Sequence, residues 1–155
     1  MKTVEIIILG EPQGKGRPRA RNAGKFIQIY SPKETINYET KVVNAYRFMK
    51  PNMTFEVGDQ IGAVINAYYQ IPKSCYRFHK KTNTTDLTAE GIKMLNNELR
   101  PIKKPDSDNL AKICLDALNG IAYPDDSQIV ALTVNKYYSK EPRVEVRLYE
   151  LQTNG

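Results

Sequence analysis

Histidine and cysteine are scarce in this 155-residue chain: His79 stands alone, and Cys75 and Cys114 are the only thiols. Two cysteines cannot build a disulfide framework, and with one histidine they do not form a zinc pattern. No Ser-His-Asp triad and no phosphate-cradling glycine loop is present. No apolar run approaches the ~20 residues of a membrane span. The run 4–9 is too short, and too near the start, to be the core of a signal peptide. Internal repeats and low-complexity segments are also lacking. These absences point to a reducing cytoplasm and away from secreted, zinc-bound or membrane-spanning classes.

Charge is present with one sign in excess. Lys and Arg number 23 against 17 Asp and Glu, a net charge of +6 that favours a polyanionic partner. Length and a hydrophobic content of 41% fit one domain, 1–155, stable without staples.

Residues 3–9 are β-branched and read as a strand, 60–70 as a central strand, and 129–138 and 143–151 as two more. Residues 10–25 hold four glycines and two prolines and read as a loop or irregular hairpin leading to a short strand at 25–30. Ser31, Pro32 and Glu34 have the form of a capping box. The helix they would open presents Tyr38, Val42, Ala45, Tyr46 and Met49 on one face and ends at Pro51. A second helix is expected over 89–99. The clearest follows Ser107, with Leu110, Ile113, Cys114, Ala117 and Leu118 as its core stripe and Gly120 as its stop. The mixture lacks regular βαβ alternation, so the expected class is α+β, a small mixed sheet packed by two or three helices.

Acids gather at the two ends of that clearest helix, in Pro105-Asp106-Ser107-Asp108-Asn109-Leu110-Ala111-Lys112 and in Tyr123-Pro124-Asp125-Asp126. In a basic protein such a cluster repels phosphate unless a cation lies between them, and carboxylates are the ligands hard divalent ions prefer. Two residues apart on a helix is about 200° of rotation. Asp106 and Asp108 therefore converge only if Asp106 sits in an extended lead-in and Asp108 at the helix start. Lys112 falls one turn beyond Asp108 on the same face, and Asp116 continues it. Asp126 reaches the lead-in only if its strand runs back alongside, which is the expectation. Asp106, Asp108 and Asp126 would then hold one or two Mg²⁺ ions, activating water and offsetting phosphate charge, with Lys112 supporting that charge. The plainer alternative is an N-cap aspartate, an ordinary i,i+4 pair of Asp108 with Lys112, and common turn chemistry.

Residues 12–33 carry Lys15, Arg17, Arg19, Arg21, Lys25 and Lys33 and no acid before Glu34. An extended chain would place Arg17, Arg19 and Arg21 on one side, suited to phosphates; a solvated, mobile hairpin is the alternative. Residues 73–81 interleave Lys73, Arg77, Lys80 and Lys81 with Tyr76 and Phe78, a second candidate for DNA contact unless the aromatics only anchor a loop. Lys104 belongs with the DNA-contact group, and His79 reads as a phosphate or solvent contact rather than a metal ligand.

The run 104–112, then Leu115-Asp116-Ala117-Leu118-Asn119-Gly120 and Asp125-Asp126-Ser127-Gln128-Ile129, resembles the RusA family of Holliday-junction resolvases. Gly14-Lys15-Gly16-Arg17-Pro18-Arg19 is similar to the basic N-terminal motif of many members, and the likeness spans most of the chain. It implies a homodimeric, Mg²⁺-dependent endonuclease, with Mn²⁺ as a substitute, that cuts four-way DNA junctions by paired nicks. By this likeness Asp106, Asp108 and Asp126 match the catalytic carboxylates and Lys112 the catalytic lysine. The segment 73–103 is longer than in compact members, so no role transfers to it. A C2 dimer would supply the two sites that a two-fold junction needs. The rival readings are a flap or single-strand endonuclease using the same acids, and a non-catalytic DNA-binding protein.

Overall fold

A computed structural model describes residues 1–152 of the chain. Strand β1 (Thr3–Leu9) leads through a loop into a small hairpin, β2 (Arg19–Asn22) with β3 (Ile27–Tyr30), and then helix α1 (Lys33–Met49). Strand β4 (Ile61–Gln70) is followed by a second hairpin, β5 (Tyr76–His79) with β6 (Thr84–Leu87), and by α2 (Ala89–Leu95). Helix α3 (Ser107–Leu118) precedes β7 (Ile129–Ser139) and β8 (Arg143–Glu150). The principal sheet has the order β1-β8-β4-β7, antiparallel except that β4 pairs in parallel with β7. The fold is α+β with a mixed sheet and three helices, as the sequence leads one to expect.

Alternation explains which face the helices cover. Val4, Ile6 and Ile8 of β1 and Val144, Val146 and Leu148 of β8 are buried, as are Ile61, Ala63, Ile65, Ala67 and Tyr69 of β4. A strand's side chains alternate between faces, so these residues form one apolar surface against α1 and α3. Helix α3 buries all five residues of its expected stripe and also Ala111 and Leu115. Full burial of Leu110, Ile113 and Leu118 contributes about 2 kcal/mol each. That leaves Asp108, Lys112 and Asp116 along its outer face.

Three local expectations differ from the structure. Pro32, with extended backbone, is the N-cap residue of α1, and no side chain caps the helix, so Ser31 and Glu34 form no capping box. Met49 ends α1 exposed, because the buried face is carried by Thr35, Tyr38, Val42 and Tyr46. Helix α2 stops at Leu95, shortly before Asn97 adopts a left-handed φ of 65°. No described helix is long and apolar enough to cross a membrane.

Candidate active site

Asp106 is the N-cap residue of α3, extended at φ −70° and ψ 157°, with Asp108 in the first turn. The backbone placement expected of the two acids, one in the extended lead-in and one in the first turn, is therefore present. The Asp106 carbonyl oxygen accepts from the Leu110 N–H at 3.0 Å. Its carboxylate, however, makes no capping hydrogen bond. An aspartate here ordinarily satisfies a first-turn N–H, so this side chain is not used as a cap. Asp108 and Lys112 are exposed, and among the described residues no ion pair joins them. Both ordinary uses of this motif, the cap and the helical pair, are thus missing.

The N-terminal loop and β4 hold the start of the helix in place. Gly14 packs so closely that a Cβ there would lie 2.9 Å from Pro105 Cβ and 3.1 Å from Asn109 Cβ. The Lys15 N–H donates to the Asn109 carbonyl oxygen at 3.3 Å. At Gly16 a Cβ would meet Thr35 Oγ1 at 2.8 Å, and its N–H donates to that oxygen at 3.0 Å. These glycines serve close approach rather than bending. From the sheet, the Tyr69 hydroxyl donates to the Pro105 carbonyl oxygen at 2.7 Å. Burial raises the Tyr69 hydroxyl's pKa, with the negative charges of Asp106 and Glu11 adding to the rise.

The second acidic stretch divides its work. Asp125 closes a capping box with Gln128 on a short 3-10 turn, accepting from the Ser127 N–H at 3.3 Å. That backbone bond is the main cause of its lowered pKa. Asp126 takes no part in the box. Its carboxyl is raised above the usual range, first by burial and then by the side chain of Asp125 and the charge of Asp116. Strand β7 does run back beside α3, and its far end reaches the lead-in, where Lys136 Nζ donates to the Lys103 carbonyl oxygen at 2.6 Å. Asp126 lies just before the start of that strand, within range of Asp116, and so does not reach the lead-in as expected, because the strand enters from the other end of α3. Among the described residues no three His, Cys, Asp or Glu side chains form a metal-binding group. The oxygen chemistry of Asp106 and Asp108 still fits Mg²⁺, which keeps several waters and takes one or two carboxylates alongside substrate phosphates.

The positive residues fall into two kinds. Lys15 is committed within the chain, its Nζ 2.8 Å from Asp116 and 3.8 Å from Glu39. Burial opposes its charge, but these two acids leave its pKa raised. Arg17, Arg19, Arg21, Lys25, Lys73, Arg77, Lys80 and Lys104 are exposed and in no ion pair among the described residues. Arg17 and Arg19 border a cleft of about 440 Å³ that also includes Gly14, Gly16 and Thr35. Arg21 donates to Gln28 Oε1 at 2.8 Å and lies 5.3 Å from the Tyr30 ring. In the second hairpin Phe78 is exposed, whereas Tyr76 packs on Ile71, Cys75 and Met94. His79 pairs with Asp86 at 3.1 Å.

Comparison with known proteins gives two findings. The family model described as Endodeoxyribonuclease RusA matches residues 10–149. The Bacillus subtilis (strain 168) protein YqaN, described as uncharacterized, is 32% identical over 151 residues, covering 97% of this chain and 99% of that protein.

Proposed function

The chain belongs to the RusA family of endodeoxyribonucleases, and on that premise we propose that it is a Mg²⁺-dependent resolvase of four-way DNA junctions. It acts as a single catalytic domain in a homodimer, each protomer nicking one of two symmetric strands. The observation that carries the reading is the Asp106–Asp108 pair at the start of α3, with Asp106 free of capping and both acids free of ion pairing among the described residues. Two adjacent unpaired carboxylates in a protein of charge +6 are suited to a cation and unsuited to bare phosphate. Asp106 and Asp108 would hold the ion, while Asp126, in the turn before β7, stands beside Asp116 and not beside them. Bound Mg²⁺ supplies Lewis acidity and a lowered water pKa. Lys112, one turn along the exposed face, offers an unpaired ammonium to the phosphate where charge develops.

Arg17, Arg19 and Arg21, with Lys25 beyond them, hold the DNA arms, and Lys104 does so beside the acids. Lys73, Arg77 and Lys80 extend this surface along the second hairpin. Lys15 differs, since phosphate would have to draw it from Asp116. The double substitution Arg17→Ala/Arg19→Ala is expected to lower the slope of log K against log salt by about 1 to 2. A slope equal to that of the wild type would remove this loop from the DNA surface. The reading as a whole is tested by incubating the protein with Mg²⁺ and labelled junction, flap and duplex DNA. A flap endonuclease would cut the flap in preference, and a DNA-binding protein would cut none.

A further inference from the structure

One lysine at the end of the returning strand is placed where solvation alone does not explain it. Lys136 is in register with Ala67 of β4, so its side chain leaves the sheet on the face that carries Ala67 and Tyr69. There its Nζ donates to the Lys103 carbonyl oxygen at 2.6 Å and lies 5.2 Å from the Tyr69 ring centroid. Tyr69 in turn donates to the Pro105 carbonyl oxygen at 2.7 Å. Two adjacent strands therefore hold two carbonyls of the three residues that lead into Asp106. Half-burial lowers the Lys136 pKa, and Asp106 is the charge that opposes this. A methionine would cover Tyr69 as well. What the lysine adds is a charged donor for the lead-in.

We propose that Lys136 is a positioning residue for the carboxylate pair: it fixes residues 103–105, so that Asp106 and Asp108 keep their places before any metal or DNA arrives. The proposal rests on the reading of this site as the nuclease centre. Lys136 differs from Lys112, which lies on the outer face of α3, because it acts through the lead-in and not on phosphate.

The test compares Lys136→Met and Lys136→Arg with the wild type in two measurements. The first is amide exchange in the metal-free protein at Leu110, which donates to the Asp106 carbonyl oxygen, against that at residues 114–118. Lys136→Met should speed exchange at Leu110 by about 10-fold and leave 114–118 unchanged. The second is junction cleavage, where kcat should fall by about 10- to 100-fold while KM and metal-free junction affinity stay within about two-fold. Lys136→Arg should restore both, since it keeps charge and donor. If Lys136→Met melts far below the wild type, Lys136→Leu carries the same test by removing the donor while keeping an apolar side chain over Tyr69. Unchanged Leu110 exchange in the folded variants would overturn the proposal, as would weakened junction affinity at wild-type kcat. The exchange result decides the positioning role even if the wild type cuts no DNA, so the two readings fail separately.

Discussion

Asp106→Asn removes junction cleavage by about 10³-fold or more, ~4 kcal/mol of transition-state stabilisation, and leaves metal-free junction binding and thermal stability close to the wild type. The expectation follows from what the carboxylate does not do. It caps no N–H of α3 and enters no ion pair among the described residues. Asparagine is as good an N-cap residue as aspartate, so the helix start survives the exchange. What disappears is an anionic oxygen ligand. Asp126→Asn is expected to leave the turn before β7 and the Tm close to the wild type, because Asp125 and not Asp126 holds the capping box. The check is kcat on a labelled junction, with gel-shift affinity and Tm on the same preparations. A fall in Tm that parallels the loss of activity would make Asp106 a structural residue.

Gly14→Val is expected to damage stability and catalysis together, for a different reason. The backbone of Gly14 is not left-handed, so the penalty comes from contact alone: any Cβ would press on Pro105 and Asn109, the residues either side of the carboxylates. Overpacking of this kind costs about 1–3 kcal/mol, a fall in Tm of roughly 3–10 °C for a chain of this size. Displacement of a catalytic group by ~1 Å can cost about 10²-fold in rate. Gly14→Ala should lie between wild type and valine in both measurements. The salt slope of DNA binding should be unchanged, since Arg17 and Arg19 lie beyond the docking point. Wild-type Tm and rate in the valine variant would mean that the loop does not seat on the helix start.

The contrast between these two residues shows how far the sequence could be read. Helix α3 was legible because its apolar stripe, its stop at Gly120 and its extended lead-in are all local signals. Strands β1, β4, β7 and β8 were legible from β-branched and alternating runs. The arrangement of Asp106 and Asp108 followed from helical rotation alone. The seating of Gly14 on Pro105 was not legible, because a glycine for bending and a glycine for close approach look the same until a distant segment is placed against it. Lys15 reads as one more basic residue in a basic loop, and only the fold brings Asp116 to it. Lys136 needs the β4–β7 register before its position means anything. Strand β7 does return beside α3, but a strand entering from the helix's far end carries its own far end, not its first acid, to the lead-in.

Cleavage of a labelled four-way junction by the wild-type protein, with Mg²⁺ and with chelator, beside a flap and a duplex of the same sequence, tests the central claim most directly. The account predicts paired symmetric nicks in the junction that need Mg²⁺, with the flap and duplex left largely intact. Junction binding without cleavage in Mg²⁺ or Mn²⁺, or cleavage that persists in chelator, would contradict it.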